Sequence, residues 1–239
     1  MRYLIRFSYD GTLFHGFQRQ KNVKNVQGLL EQTLSGYFGQ DILIKGSGRT
    51  DAGVHAKCQC AHFDTSKKVT WKDIKCINKI LNGEIIINNL KLVDNNFHAR
   101  HDVKKKTYVY KINVGKYKSN YEGYYYQIKY DLDIKKMREA SKVFVGVHDY
   151  RNFVSGYRDD YESVIYNIKI SKFGNILTFK FVGAGFYRYM VRHLVGALVD
   201  VGKGKVDIKT IYGMIDNKEF TKKLCVVPAC GLYLTDIKY

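Results

Sequence analysis

A short loop rich in glycine places one carboxylate where it could take part in chemistry. The run Gly48–Gly53 reads Gly-Arg-Thr-Asp-Ala-Gly and follows the apolar segment Ile42–Ile44, which its pattern predicts to be a short strand. Glycines permit the positive-φ turns that would leave the Asp51 side chain exposed on a rigid support at the end of a sheet. Arg49 could bind a phosphate or keep the carboxylate ionised. An ordinary Asx turn is an equally open interpretation of the local sequence, because Gly, Thr and Asp are common turn residues.

A second candidate surface combines lysine with tyrosine between residues 104 and 130. It opens with the consecutive lysines Lys104, Lys105 and Lys106, and the tyrosines that follow are Tyr110, Tyr117, Tyr121, Tyr124, Tyr125 and Tyr126. This combination suits contact with phosphates and stacking on bases. It suits equally a strand pair with lysine outside and tyrosine inside, or a contact between subunits.

Cysteine and histidine alternate on one predicted strand and raise the question of zinc. Cys58, Cys60 and His62 would share a face of that strand, with His55 nearby. Structural zinc sites usually pair their ligands with two to four residues between them, so a buried apolar face is the favoured interpretation and no metal is predicted. The five cysteines are odd in number, which predicts free thiols in a reducing compartment: Cys58, Cys60, Cys76, Cys225 and Cys230.

The overall composition favours a soluble protein with a polyanionic partner. The chain has 239 residues, 45% of them hydrophobic, which is enough for a substantial core. Lys and Arg number 40 and Asp and Glu 22, so the formal charge is 40 − 22 = +18. This charge suits electrostatic capture of phosphates, although a drift in codon usage could also raise the lysine content. The sequence has no apolar run long enough to span a membrane, and its start reads as a strand rather than a signal peptide, so we expect a cytoplasmic protein.

The elements that must position these residues alternate between strand and helix. The predicted helices follow Asn25, run over Trp71–Leu81, run from Ile134 to Val145, and carry the apolar stripe Val191–Val199 ended by Gly202. The predicted strands are Tyr3–Tyr9, Ile42–Ile44, Gln59–Phe63, Ile85–Val93 with an interruption at Asn88-Asn89, Thr107–Val114, Val164–Ile170, Ile176–Val182 and Leu232–Ile237.

This order predicts an α+β fold made of two similar halves. Each half would be an antiparallel or mixed sheet with helices on one face. We place the division near residue 103, giving an N-terminal half 1–102 with the Asp51 loop and a C-terminal half 103–239. No linker rich in Pro, Gly or Ser separates the halves, so we expect them to be joined around a central active-site cleft.

Several runs, in the same order along the chain, resemble the TruA family of tRNA pseudouridine synthases. The resemblance is carried by Tyr9-Asp10-Gly11, Gly16-Phe17-Gln18-Arg19-Gln20, Val26-Gln27-Gly28-Leu29-Leu30-Glu31, Gly48-Arg49-Thr50-Asp51-Ala52-Gly53-Val54-His55-Ala56, Phe97-His98-Ala99-Arg100, Lys106-Thr107-Tyr108-Val109-Tyr110, Met190-Val191-Arg192-His193-Leu194-Val195-Gly196 and Pro228-Ala229-Cys230-Gly231-Leu232. These runs extend over essentially the whole chain.

The resemblance implies roles for three catalytic residues. Asp51 would start cleavage of the bond between uridine N1 and the ribose C1′. Tyr108 would stack on the uracil and serve a proton transfer at C5, whereas the alternative is a strand aromatic packed in the core. Arg192 would pair with Asp51, whereas the alternative is a solvated arginine on a helix face.

Other residues in the matched runs are implied to bind the substrate. Arg49 would assist extrusion of the target base and fill the space that it leaves, with a phosphate clamp as the alternative. Lys106, Arg19 and Tyr108 complete the predicted substrate contacts. His98 is assigned a packing role. No cofactor and no metal are implied.

The resemblance also implies partners, with some departures from the family pattern. It implies a homodimer that modifies uridines in the anticodon stem-loop of tRNA, with no membrane. Phe17 stands where the family usually has Trp, Val227 replaces a common Ala, and the Arg expected near Ile165 or Tyr166 is absent. These departures leave open a divergent paralogue that acts on another RNA, such as ribosomal RNA, or a non-catalytic RNA-binding protein.

Overall fold

The computed structural model describes residues 1–216 and 225–239, with Asp216 described by its backbone alone. Its helices are α1 (Val26–Phe38), α2 (Trp71–Ile80), α3 (Ile134–Ser141), α4 (Met190–Gly202) and α5 (Ile208–Asp216). Its strands are β1 (Arg2–Tyr9), β2 (Lys45–Gly46), β3 (His55–Asp64), β4 (Ile85–Val93), β5 (Lys105–Asn113), β6 (Tyr126–Gln127), β7 (Gly146–Asp149), β8 (Glu162–Phe173), β9 (Ile176–Gly183) and β10 (Leu232–Lys238). The predicted α+β class is confirmed.

The chain forms two compact units. The first comprises residues 1–104 and Tyr233–Tyr239, and the second comprises residues 105–232. The sequence placed all of 103–239 in the second half, but nearly all of β10 belongs to the first unit. The reason is visible in the pairing, since Tyr233 and Leu234 lie beside His55 and Ala56 of β3.

The first unit contains a mixed sheet. β1 lies between β3 and β4 and is antiparallel to both, while β10 pairs with the other side of β3 in parallel. The register between β1 and β4 shifts between Arg6 and Phe7, opposite Asn88. The predicted interruption at Asn88-Asn89 is therefore a bulge within a continuous strand, and the strand continues because a bulge accommodates one extra residue.

Helices α1 and α2 begin where their sequences predict, and α2 ends at Ile80, one residue before the predicted Leu81. The Asn25 side chain accepts a hydrogen bond from the Gly28 amide at the start of α1, and Gly39 ends that helix at φ 62°. In α2 the Asp73 carboxylate accepts the Thr70 amide at 2.7 Å, which satisfies one of the unpaired amides of the first turn. Buried residues of α1 such as Leu30 and Leu34 contribute to the core of this unit.

The predicted strand Ile42–Ile44 is wrong. Both isoleucines are buried, as the alternating pattern requires. Their amides, however, bond to side chains of α1: the Ile42 amide to Ser35 Oγ at 2.9 Å and the Ile44 amide to Glu31 Oε1 at 3.0 Å. These hydrogen bonds replace the pairing that a strand would need, and only the two residues of β2 join the sheet.

The second unit contains a sheet in the order β5-β9-β8-β7, with neighbouring strands antiparallel and β6 parallel to β5. The predicted pair of strands around Gly174-Asn175 is confirmed as β8 and β9, with Gly174 at φ 54° in the turn. Tyr110, Phe179 and Phe181 are fully buried and form part of this unit's core.

The helices of the second unit differ from the prediction in two places. Helix α3 ends at Ser141 and continues as a 3₁₀ turn over Lys142–Phe144, so the predicted helix to Val145 is regular only in its first part. Helix α5 was not predicted at all. Helix α4 ends at Gly202 as expected. Within the described residues no helix is long and apolar enough to cross a membrane.

Candidate active site

The Asp51 side chain lies on a tight turn between β2 and β3. The Asp51 carbonyl accepts the Val54 amide at 3.2 Å, and Gly53 adopts φ 78°, a conformation that favours glycine. Asp51 itself is half-buried, whereas the sequence predicted an exposed side chain. The turn gives a short acidic side chain a fixed backbone position at the start of a ten-residue strand.

Buried polar side chains form hydrogen bonds with this turn. Thr50 Oγ1 lies 2.8 Å from the Tyr9 hydroxyl, and both residues are buried. Burial raises the pKa of Tyr9 to about 12, so the phenol stays neutral at physiological pH. The fully buried Gln59 donates to the Gly48 carbonyl at 3.1 Å and accepts from Ser47 Oγ at 2.7 Å. The loop is therefore anchored to strands of the sheet at Gly48 and at Thr50.

The segment after β1 packs against the same turn through its backbone. The Phe17 amide donates to the Thr50 carbonyl at 3.1 Å. A Cβ at Gly16, which has φ 92°, would lie 3.0 Å from the Thr50 oxygen, and a Cβ at Gly11 would lie 2.3 Å from the Val54 oxygen. Glycine is thus needed at both positions by close backbone approach. This support could not be predicted from the sequence, because the contacting residues are far apart along the chain.

Phe17, where the family usually has tryptophan, is buried beside β2. A Cβ at Gly46 would lie 2.5 Å from Phe17 Cζ, so the ring covers that glycine directly. His55 at the start of β3 is also buried; its ring stacks on Tyr233 with centroids 4.5 Å apart, and its Nδ1 accepts the Gly11 amide at 3.1 Å. Both aromatic residues serve the packing around the turn.

Two arginines predicted to bind substrate lie in the first unit. Arg49 is exposed, and its Nη1 donates to Gln18 Oε1 at 2.7 Å. Arg19 is 61% exposed at its side chain and pairs with Glu31, which is buried, at 3.1 Å. A long exposed guanidinium suits contact with phosphate or a nucleotide. The pairing with Glu31 makes Arg19 part of the packing on α1 as well.

Tyr108 and Lys106 lie on β5 in the second unit. Tyr108 is 8% exposed and opposes Phe181 of β9 in the sheet register, and its ring meets Phe186 edge to face with centroids 5.2 Å apart. Lys106 is half-buried opposite Gly183. The Tyr108 side chain therefore has a fixed orientation among aromatic neighbours while keeping a small exposed area.

Arg192 lies on the first turn of α4 and is held on two sides. Its Nε donates to the Val227 carbonyl at 2.8 Å, and its guanidinium lies 4.5 Å from the centroid of the Tyr189 ring. The side chain is half-buried, so it is not the solvated arginine of the alternative interpretation. Because the contact uses the backbone oxygen, the departure from Ala to Val at position 227 does not affect it.

Of the six residues predicted for the site, Arg19, Arg49 and Asp51 lie in the first unit. Lys106, Tyr108 and Arg192 lie in the second. The pairing of Arg192 with Asp51 stays a prediction, as do the roles assigned to all six.

The lysine and tyrosine residues between 104 and 130 contact one another extensively. Tyr110 is in the core, and its hydroxyl donates to the Pro228 carbonyl at 2.7 Å. Tyr121 and Tyr125 stack with centroids 4.3 Å apart, Lys118 lies over the first ring and Lys111 over the second. Cation–π contacts thus occupy these rings, whereas Tyr117 and Tyr124 are exposed.

The residues considered for zinc are placed differently from one another. Among residues 1–216 and 225–239, no group of three or more His, Cys, Asp or Glu side chains is arranged to hold a metal ion. His62 Nδ1 accepts the Ala99 amide at 3.1 Å, and its ring meets that of His98 edge to face. His98 is therefore a packing neighbour of His62, and all five cysteines are free thiols.

Comparison with known proteins decides the family. The sequence profile of the tRNA pseudouridine synthase family matches residues 5–115 and 140–239. The chain belongs to this family. It is 37% identical over 246 residues to tRNA pseudouridine synthase A of Lactobacillus helveticus, covering 100% of this chain and 94% of that one. It is also 37% identical over 242 residues to tRNA pseudouridine synthase A of Mycoplasma genitalium, covering 100% and 98%. The resemblance in the motifs is confirmed.

Solved structures add a weaker likeness. A Cbf5–Nop10–Gar1 complex contains a chain 13% identical to this one, with a TM-score of 0.36, covering 72% of this chain and 40% of that chain. The arginine that the family pattern places near Ile165 or Tyr166 of β8 is absent from this chain. At this position the Lys105 ammonium lies 5.3 Å from the centroid of the Tyr166 ring.

Proposed function

We propose that this protein isomerises uridine to pseudouridine in tRNA. The observation that carries the proposal is membership of the tRNA pseudouridine synthase family over nearly the whole chain, with the Asp51 turn present and anchored at Gly48 and Thr50. The relatives that it matches bear the name tRNA pseudouridine synthase A. The formal charge of +18 suits a polyanionic substrate.

The reaction that we propose conserves all atoms of the nucleotide. The bond from N1 to the ribose C1′ breaks, the uracil turns, and a bond from C5 to C1′ forms; C5 loses a proton and N1 gains one. Because no atom or electron enters or leaves, the chemistry requires a positioned carboxylate, a surface for the detached base and shelter from water.

We assign the first of these tasks to Asp51 and the second to Tyr108. Asp51 starts the cleavage at C1′. The Tyr108 ring stacks on the uracil, and its hydroxyl serves the proton transfer at C5. Arg192 pairs with the Asp51 carboxylate and holds it ionised. The support for these two roles is that Tyr108 is fixed among aromatic neighbours and Arg192 is fixed by the Val227 carbonyl.

Arg49, Arg19 and Lys106 bind the RNA in this proposal. Arg49 takes the space that the target base leaves on extrusion, which its exposed position supports. Extrusion costs a few kcal/mol of stacking and pairing, so a weakly paired nucleotide close to a loop is the cheaper target. We therefore propose uridines of the anticodon stem-loop as the substrate.

We further propose that the protein acts as a homodimer in the cytoplasm. The motif resemblance supports the dimer, and the five free thiols suit a reducing compartment. Sedimentation of the purified protein at micromolar concentration tests the dimer directly, since a monomer at that concentration would contradict it.

The function is tested by incubating the protein with unmodified tRNA and with ribosomal RNA fragments and mapping pseudouridine by nucleotide. We expect conversion in the anticodon arm of tRNA. Conversion confined to the ribosomal fragments would overturn the substrate, and binding of both RNAs without any conversion would overturn the activity.

A further inference from the structure

A cluster of two thiols and a guanidinium lies in the first unit, around the Cys58 side chain on β3. Cys58 is half-buried, whereas Cys60, two residues later, is fully buried. Residues two apart on a strand point to the same face, so the two thiols are neighbours. Neither has a part in the proposed isomerisation.

A charged hydrogen-bond donor meets the Cys58 sulfur. Arg6 Nη1 of β1 lies 3.3 Å from Cys58 Sγ. This donor comes from the strand next to β3 and carries a positive charge. A thiolate is stabilised by such a donor more than a neutral thiol is.

The charged groups that face this site leave the arginine available to the sulfur. Asp236 lies 3.8 Å from Arg6 Nη1, at the limit of an ion pair and farther than the sulfur. The Tyr239 hydroxyl, whose pKa is raised by burial, donates to the Ala99 carbonyl at 2.9 Å. The Cys60 side chain, then the hydrogen bond from Arg6, holds the pKa of Cys58 below its usual range, while the neighbouring Cys58, then burial, raises the pKa of Cys60.

We propose that Cys58 is a nucleophilic thiolate and a site of covalent modification by low-molecular-weight disulfides. The Cys58 sulfur attacks one sulfur of the disulfide and forms a mixed disulfide with it. The disulfide bond of the reagent breaks, and the released thiolate takes a proton from water. The reagent is the oxidant, and one of its two sulfurs leaves reduced.

The mixed disulfide is the stable product, because the neighbouring Cys60 thiol keeps its proton and is held in a regular strand. Two strand residues separated by one other lie about 6.6 Å apart at Cα, near the upper limit for a disulfide. Cys60 is also fully buried and its thiol keeps its proton. A resolving attack by Cys60 would require the strand to distort.

The chain offers its own controls, since Cys76 and Cys225 are exposed and Cys58 is not. If exposure alone governed reactivity, those two thiols would react first. We expect the opposite order at pH 7, with Cys58 modified at least about tenfold faster by limiting iodoacetamide, measured by peptide mass spectrometry. Equal or faster reaction of Cys76 or Cys225 would overturn the proposal.

Arg6→Gln tests the cause of the reactivity. We expect this variant to lower the rate at pH 7 by about tenfold and to move the midpoint of the rate against pH toward the ordinary thiol value of about 8.5, while Arg6→Lys keeps part of the effect. An unchanged rate and an unchanged midpoint in Arg6→Gln would show that the Arg6 guanidinium does not activate the Cys58 thiol. Circular dichroism confirms that both variants are folded.

Oxidised glutathione tests the product. We expect one glutathione adduct per chain at pH 7, located on Cys58 and absent from Cys58→Ser. A loss of two mass units with no adduct would mean a disulfide between Cys58 and Cys60 and would contradict the mixed-disulfide product. Adducts that persist in Cys58→Ser at the wild-type rate would contradict the assignment to this residue.

Discussion

At the scale of single residues, the Asp51 turn depends on glycines that allow two backbones to meet. Gly16 combines a positive φ of 92° with a close approach to the Thr50 carbonyl, whereas Gly39 at the end of α1 has φ 62° and open space around its Cα. Alanine at either position introduces backbone strain, but only alanine at Gly16 also pushes on the Asp51 turn.

We therefore predict different results for Gly16→Ala and Gly39→Ala. Each should lose about 1–2 kcal/mol of unfolding free energy from strain at positive φ. Gly16→Ala should also lower kcat for pseudouridine formation, because the added Cβ pushes on the backbone that carries Asp51. Denaturant unfolding and single-turnover assays measure both quantities, and equal activity of the two variants would contradict this account of the turn.

His62 links the stability of the first unit to pH. Burial, then the charge of Arg2, lowers the pKa of His62 to about 4, while an unfolded histidine titrates near its usual 6.5. The unfolded chain then binds more protons between these values, so the stability from neutral His62 is present above pH 6.5 and decreases as the pH falls toward 4.

His62→Gln should remove this pH dependence while keeping an acceptor for the Ala99 amide. Between pH 7 and pH 5 we expect wild type to lose more unfolding free energy than the variant, by on the order of 1 kcal/mol. Urea unfolding at the two pH values measures the difference. Parallel curves would show that His62 does not titrate with a lowered pKa.

At the scale of secondary-structure elements, helix α4 depends on close packing at Gly196. A Cβ at Gly196 would lie 1.8 Å from the Cys225 carbonyl oxygen. The segment that begins at Cys225 also supplies the Val227 carbonyl that accepts from Arg192 and the Pro228 carbonyl that accepts from Tyr110. Displacing this segment would therefore disturb a proposed catalytic side chain.

Gly196→Ala and Gly36→Ala form a matched pair of helix substitutions. Gly36 on α1 has nothing within 4 Å of an added Cβ, so alanine there should stabilise the protein by about 0.5–1 kcal/mol. Gly196→Ala should destabilise it by at least about 2 kcal/mol and lower activity. Thermal unfolding of both variants tests this, and a stabilised Gly196→Ala would refute the packing described.

Most regular elements could be predicted from the sequence, because local periodicity and caps determine them. The strands β8 and β9 and the helices α1, α2 and α4 follow from such signals. Helix α5 also has a start signal, since Asp207 Oδ1 accepts the Thr210 amide at 2.7 Å and an apolar stripe follows. The glycines at 202 and 204 favour a loop there instead, so the helix was not predicted. The segment Ile42–Ile44 could not be assigned locally, because side chains of α1 satisfy its amides.

The candidate site was less predictable than the elements around it. The residues proposed for the chemistry came from motifs, whereas their support came from long-range contacts. Tyr9 and Gly16 contact Thr50 from 41 and 34 residues away along the chain, and Gln59 bonds to Gly48 from 11 residues away. No local pattern marks such contacts, and only the fold brings them together.

At the scale of the whole molecule, the charge of +18 should govern affinity for RNA. Binding of a basic protein to phosphates releases counterions, so affinity falls as salt rises. With Asp51→Asn, which should bind tRNA without turnover, we expect the Kd to rise by at least about tenfold between 50 and 200 mM salt. Fluorescence anisotropy measures this, and a constant Kd would exclude a dominant electrostatic contribution.

The most direct test of the central claim is the activity of Asp51→Asn beside Asp41→Asn, an exposed carboxylate in the same unit. Pseudouridine formed in unmodified tRNA is measured by nucleotide, and unfolding is measured for both variants. We predict that Asp51→Asn loses activity by on the order of a hundredfold to ten-thousandfold while its fold and tRNA binding are kept, and that Asp41→Asn matches wild type. Wild-type activity in Asp51→Asn would contradict the account.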